Sequence, residues 1–229
     1  MQEQKTREPQ YEVLLEGFRR HGLHPLGLMA SHLWRSDPRH LVFFLARYKF
    51  CAKMLAGKGS VLEAGCGDGF ALPLLLQTVR SVHAVDFDPI LVENARQINA
   101  ERAGLTFETV DLTEKSPAGT FDAAYSLDVI EHIPIEKERT FLDNLLRPLA
   151  PGGTLIVGTP NVHASVHASK WSNEGHVNLK DDRGLRALLE PRFRDVFLFS
   201  MNDEVVHTGF APMAHYLFAI AAGKRDDAG

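Results

Sequence analysis

Cysteine is nearly absent from this chain: two residues in 229, Cys51 and Cys66. That excludes a disulfide framework and fits a reducing compartment. No block of like charge occurs and the net charge is only −4, which argues against a dedicated nucleic-acid surface. No apolar run approaches the roughly 20 residues that a bilayer requires; the longest near the C-terminus is Tyr216 to Ala222. The first ten residues, MQEQKTREPQ, hold no apolar signal core. Internal repeats and low-complexity segments are missing too. These absences predict a soluble, cytoplasmic protein with neither nucleic-acid nor membrane partners. The 45% hydrophobic content suffices for a full core in one α/β domain.

What is present is an alternation of short apolar strands with helices. Strands are expected at 60–64, 81–86, 105–110, 121–126 and 154–158, and helices at 70–78, 89–102 and 136–149. That order predicts a parallel sheet covered on both faces. Ahead of it, one helix is expected over 11–20, broken by Gly22 and Pro25. A second runs from Pro38 to about Leu55, with Asp37 as its N-cap. After Pro160, a stretch rich in His, Ser and Asn reads as a loop to about Lys180, and loops of that length are usually functional. A helix over 181–189, a strand around 196–201 and an apolar segment over 215–222 follow. Residues 1–10 and 224–229 read as disordered. The whole reads as a single domain: a helical cap (1–57), a cofactor-binding core (58–160), and an acceptor-side loop with the end of the sheet (161–222).

The ten residues VLEAGCGDGF (61–70) say most about function. A strand that ends in glycines and opens a helix brings backbone close to a ligand, as open α/β sheets do for nucleotide-like cofactors. A dinucleotide site reads G-x-G-x-x-G; here Gly65, Gly67 and Gly69 bring the third glycine one place early. Glu63, just before the turn, would repel a pyrophosphate at close range. It suits a ligand carrying an ammonium group and no phosphate, which points to S-adenosylmethionine. Asp86 ends the second strand, where a carboxylate can accept hydrogen bonds from both ribose hydroxyls. Asp111-Leu112 and Ser126-Leu127-Asp128 end the third and fourth strands. All four positions lie at carboxyl ends of strands, where such sheets bind ligands.

With these residues the chain resembles the class I S-adenosylmethionine-dependent methyltransferases. The matching segments are VLEAGCGDGF (61–70), AVDFDP (84–89), VDL (110–112), FDAAYSLDVIEHIP (121–134) and LLRPLAPGGTLIVGTPN (145–161). The likeness is close over 58–161 and looser to about 222. It implies an α/β, Rossmann-like, seven-stranded and mostly parallel sheet with helices on both faces and the last strand antiparallel. It also implies roles. Glu63, Gly65 and Gly67 line the methionine and ribose side, and Asp86 holds the ribose with Phe87 against the adenine. Asp111 and Leu112 meet the adenine edge, and Ser126 meets the methionine end through its backbone. The branch that methylates small molecules, including quinone precursors and sugars, is nearest in kind. The Asn/Asp-Pro-Pro-Tyr signature of adenine and glutamine N-methylation is absent; that position reads Ser126-Leu127-Asp128-Val129.

Methyl transfer from a sulfonium asks the protein for proximity, exclusion of water and deprotonation of a hydroxyl acceptor. A histidine takes a proton near neutral pH. His176 is the first choice, then His163 and His207. His163 and His167 stand four apart, but no carboxylate or cysteine joins them at ligand spacing, so no metal is expected. His132 reads as structural, Cys66 as a small turn residue, and Asp68 as either a helix cap or a cofactor contact. In the N-terminal cap, Arg47 or Tyr48 would meet the methionine carboxylate; Trp34 and Tyr48 also read as core, and Arg35 and Lys49 as a solvated face. Trp171, Phe210, Met213 and Tyr216 would wall the acceptor pocket or sit in the core. The expected activity is methyl transfer to a hydroxyl of a small molecule. The alternatives are N-methylation of a sugar or amino-acid amine, a nucleotide-dependent oxidoreductase, and a non-catalytic binding protein of the same fold. The oligomeric state is open, with a homodimer among the options.

Overall fold

The apolar runs pair into one sheet. A computed structural model describes residues 5–168 and 170–225, with side chains throughout except at 171 and 173. The strands are β1 (Ser60–Ala64), β2 (Ser81–Asp86), β3 (Leu105–Thr109), β4 (Phe121–Leu127), β5 (Leu149–Pro160), β6 (Phe193–Asn202), β7 (Val205–His207) and β8 (Tyr216–Lys224). Their order is β3-β2-β1-β4-β5-β8-β6-β7. Strands β1 to β5 are parallel, β8 is antiparallel to β5 and β6, and β7 is antiparallel to β6. The order reverses between β1 and β4, so the crevice of this sheet opens at their carboxyl ends. The sheet has eight strands rather than the seven expected. The extra one, β7, folds back on β6 through a turn at Asp203, φ 49°. Three residues hold too few alternating positions to announce a strand.

Eight α-helices accompany the sheet among the described residues: α1 (Glu12–His21), α2 (Leu28–Ser36), α3 (Pro38–Met54), α4 (Leu72–Leu76), α5 (Pro89–Ile98), α6 (Ile135–Leu146), α7 (Lys170–Gly175) and α8 (Asp182–Leu189). Successive strand residues face opposite sides, and two cores result. Leu62 and Ala64 of β1 pack with Ala124 of β4, Leu142 and Leu145 of α6 and Leu185 of α8. Val61 packs with Ala123 and Tyr125 of β4, Cys51 of α3 and Leu72 and Leu75 of α4. Glu63 shares the face of Val61 and so points toward α3.

Several local expectations are corrected. Asp37 makes no side-chain cap on α3; its N–H instead closes α2 on the carbonyl of Leu33, so the residue is spent as the hinge between two helices. Helix α2 itself had no sequence signal, because its ends lack capping residues of its own. Thr6 bonds Glu12 through both N–H and hydroxyl, which ties 5–10 to α1; residues 1–4 and 226–229 lie outside those described. The stretch after Pro160 holds a 3-10 turn, Val162–His167, and α7 rather than a bare loop. Among the described residues, no helix is long and apolar enough to cross a membrane.

Leu145 of α6 is fully buried against the sheet. Leu145→Ala is expected to lose about 2–5 kcal/mol of stability, read from the urea midpoint. A loss below about 1 kcal/mol would mean that α6 is not packed on this face.

Candidate active site

The chain leaves β1 through a turn that needs glycine. Gly65, Gly67 and Gly69 take φ of 80°, 53° and 65°, where other residues are strained. A Cβ on Gly65 would lie 2.1 Å from Val129 Cγ2, and one on Gly67 would lie 2.6 Å from Met29 Sδ of α2. The end of β2 holds the turn. The N–H groups of Gly65 and Cys66 donate to the carbonyl of Val85, and that of Gly67 donates to Asp86 Oδ2 at 2.9 Å. Asp86 Oδ1 accepts from the N–H of Asp88 at 3.0 Å. Asp86 therefore shapes the loop, and each of its oxygens keeps a lone pair for a further donor. Burial raises its pKa. Burial also pushes the Cys66 thiol well up, which fits a small, unreactive turn residue.

Glu63 is 1% exposed. Its Oε1 accepts the Tyr48 hydroxyl at 2.6 Å, and its Oε2 has no hydrogen-bond partner. Burial pushes the carboxyl up to about 8. Four other buried polar atoms nearby lack partners among the described residues: Arg47 Nε, Tyr125 Oη, Ser126 Oγ and Tyr216 Oη. Glu63 pairs in register with Tyr125, Ala64 with Ser126, and Pro160 with Tyr216. Glu63, Tyr125, Arg47 and Tyr216 thus lie on the side of the sheet toward α3, while Ser126, next along β4, turns to the other side at the strand end. Native interiors satisfy nearly all buried polar groups, so such a concentration marks a place for a polar ligand.

Arg47 of α3 is 8% exposed. Its Nη1 donates to both oxygens of Asp128, at 2.8 and 2.7 Å, and its guanidinium carbon lies 3.9 Å from the centroid of the Tyr216 ring. Asp128 ends β4 with φ 56°, a conformation that costs a non-glycine residue about 1–3 kcal/mol. Its N–H donates to the carbonyl of Gly158 at 3.0 Å. Of the cap residues, Arg47 holds a carboxylate of the protein through Nη1 while its Nε has no partner among the described residues, and the Tyr48 hydroxyl bonds Glu63. Trp34, 58% exposed, is not core.

Asp68 proves to be a helix cap, though of α2 rather than of the helix that follows it. Its Oδ2 accepts from the N–H of Ala30 at 2.9 Å, and Asn94 of α5 accepts from that of Leu28 at 2.9 Å. A carboxylate at a helix N-terminus is favoured by the aligned peptide dipoles. Helix α2 is thereby docked over the glycine turn.

The remaining sequence candidates divide sharply. Phe87 is 71% exposed at the rim. Asp111 Oδ1 accepts from the N–H of Thr113 at 2.8 Å, and Leu112 is buried. His176 meets His132, with ring centroids 5.0 Å apart, and one ligating atom from each of Glu131, His132 and His176 lies within 4.8 Å of the others. His163 is exposed on the 3-10 turn and joins no such group among the described residues. His207 is ruled out as a base. Its Nδ1 accepts from the N–H of Gly209 and its Nε2 bonds Asn202 Oδ1, both at 2.9 Å. It also sits on β7, four strands from β4, which is about 19 Å at strand spacing. Phe210 and Met213 are exposed while Tyr216 is buried; the side chain of Trp171 lies outside those described. Asp128, marked in the sequence as a strand end at the ligand side, and Glu131, marked only within the segment 121–134, both enter the site.

Glu63 gives a pH test. A carboxyl whose native pKa, about 8, exceeds its ordinary 4.5 stabilises the fold below pH 4.5, and that contribution is lost as pH rises through about 8. The urea midpoint of the ligand-free chain should therefore fall between pH 5 and 8, and Glu63→Gln should remove part of the fall. Equal slopes in the two proteins would show that Glu63 is ionised in the native state.

A family model described as "Methyltransferase domain" matches residues 34–192. A protein of Mycolicibacterium smegmatis named "Probable S-adenosylmethionine-dependent methyltransferase" is 33% identical over 136 residues, which are 59% of this chain and 48% of that protein. The ubiquinone biosynthesis O-methyltransferase of Xanthomonas campestris pv. campestris is 29% identical over 161 residues, 67% of this chain and 66% of its own. The chain thus spans about half to two thirds of the length of these curated relatives. Among solved structures, the N-methyltransferase NodS from Bradyrhizobium japonicum, in complex with S-adenosyl-L-homocysteine, is similar in fold. Its TM-score is 0.60 at 19% identity, covering 95% of this chain and 100% of that one. The family match takes in more than half of the chain, with the glycine turn and all five parallel strands, and on that ground this chain belongs to the methyltransferase-domain family.

Proposed function

We propose that the chain is an S-adenosylmethionine-dependent methyltransferase that transfers the methyl group to a hydroxyl of a small molecule, of sugar, quinone-like or other natural-product type. The observation that carries this reading is Glu63: a fully desolvated carboxyl at the foot of a glycine turn, with one oxygen unpartnered. Ionising a carboxyl in that environment calls for a positive partner, which an ammonium group supplies and a phosphate does not.

The residues present fit such a cofactor. Glu63, Gly65 and Gly67 would hold its amino-acid and ribose side, Asp86 the ribose hydroxyls, Phe87, Asp111 and Leu112 the adenine, and Ser126 the methionine end. The unpartnered hydroxyls of Tyr125, Ser126 and Tyr216 offer further donors and acceptors near the strand ends. When bound, the cofactor supplies a methyl group already activated by a sulfonium. The protein then orients the acceptor, keeps water out and assists removal of the hydroxyl proton. The gathering of the His132 and His176 imidazoles with the Glu131 carboxyl supports assistance to that proton loss. The likeness to an O-methyltransferase of ubiquinone biosynthesis supports an oxygen acceptor.

The test is transfer of labelled methyl from S-adenosylmethionine to a panel of phenols, sugars and amines. Hydroxyl acceptors should turn over, and His176→Ala should lower kcat about 100-fold while leaving donor affinity unchanged. Turnover confined to amines, or a wild-type rate in the variant, would overturn the reading.

A further inference from the structure

Glu131, His132 and His176 form a group that proton transfer alone does not explain. Glu131 and His132 lie on a 3-10 turn, Ile130–His132, just beyond β4. His176 follows α7 directly. Main-chain bonds clamp the two segments together: the N–H groups of Val177 and Asn178 donate to the carbonyl of Glu131, at 2.8 and 3.0 Å. The ring of His132 adds a third link, its Nδ1 bonding the carbonyl of Gly175 at 2.9 Å. A carbonyl can only accept, so Nδ1 carries the proton and the lone pair is left on Nε2. Metal-binding histidines are fixed in this manner by an outer partner. Glu131 is anchored likewise, its Oε2 accepting the Thr159 hydroxyl at 3.1 Å. Its carboxyl is 1% exposed, and the nearby guanidinium of Arg47 is committed to Asp128 by two hydrogen bonds.

We propose that Glu131, His132 and His176 bind a divalent first-row transition-metal cation, leaving open coordination positions for the acceptor. Two imidazoles and one carboxylate suit zinc, cobalt, iron or manganese, and three protein ligands leave room for an exogenous oxygen. Bonds of about 2.1 Å place ligand atoms about 3.4 Å apart in a tetrahedral site. The observed separations, up to 4.8 Å, close by a little over an ångström. His176, whose side chain makes no hydrogen bond among the described residues, is free to make that movement. Binding of the ion stands on these residues alone; its chemical role rests on the O-methyltransferase reading above. In that role the cation lowers the pKa of the acceptor hydroxyl. The proton leaves to solvent, the oxygen forms its bond to the methyl carbon, and the carbon–sulfur bond breaks with its electron pair returning to sulfur.

Cobalt(II) titrated into the full chain, with no methyl donor, gives a readout independent of activity. One equivalent should bind and produce visible d–d absorption. His132→Ala and His176→Ala should each weaken binding at least about tenfold, whereas His167→Ala, exposed in the same segment, should not. Absence of cobalt binding, or binding that survives both cluster variants, overturns the proposal. A parallel titration with S-adenosylhomocysteine checks that each variant is folded and separates the two claims. S-adenosylhomocysteine bound without cobalt sinks only the metal site; cobalt bound without S-adenosylhomocysteine sinks only the methyltransferase reading.

Discussion

A carboxyl group buried away from solvent is costly to ionise, and Glu63 is such a group. Much of the site is arranged around that fact. Tyr48 reaches it from α3 with a hydroxyl, which lends a proton to share but no charge. Tyr125 stands beside it on β4 in register. Across the turn, Asp86 is also buried, yet it spends its oxygens on backbone N–H groups and so fixes the loop. Asp86 builds the turn; Glu63 is left able to meet a positive ligand.

A second hub ties the helical cap to the sheet. Arg47 of α3 clasps Asp128 at the end of β4 and lies flat on Tyr216 at the start of β8. Asp128 is held there in a left-handed conformation, and strain of that kind persists only where surrounding contacts over-determine it. The same stretch leads straight into Glu131 and His132. With α2 docked on Asp68 and Asn94, the cap is thus joined to both halves of the crevice: to the cofactor turn through α2, and to the acceptor side through α3.

The parts of this arrangement that repeat along the chain were legible in the sequence. The five parallel strands follow from apolar runs separated by helical stretches, and Glu63, Asp86 and the three glycines are marked by spacing within 24 residues. What could not be read joins distant residues or has no pattern of its own. Arg47 and Asp128 are 81 positions apart, so their ion pair has no local pattern to announce it. His132 and Gly175 are 43 apart, which hid the company that His176 keeps. Helix α2 is capped by side chains from other elements, so local capping rules missed it. His207 has the right chemistry in the wrong place: a three-residue strand carries it to the far edge of the sheet.

The central claim is that Glu63 is a neutral carboxyl waiting for a cationic ligand. Calorimetry of S-adenosylmethionine binding at pH 7, in buffers of different ionisation enthalpy, measures the protons exchanged. If Glu63 ionises when the ammonium group arrives, binding releases up to about one proton, and Glu63→Gln removes that release. Tight binding with no proton released by the wild-type chain would contradict the account.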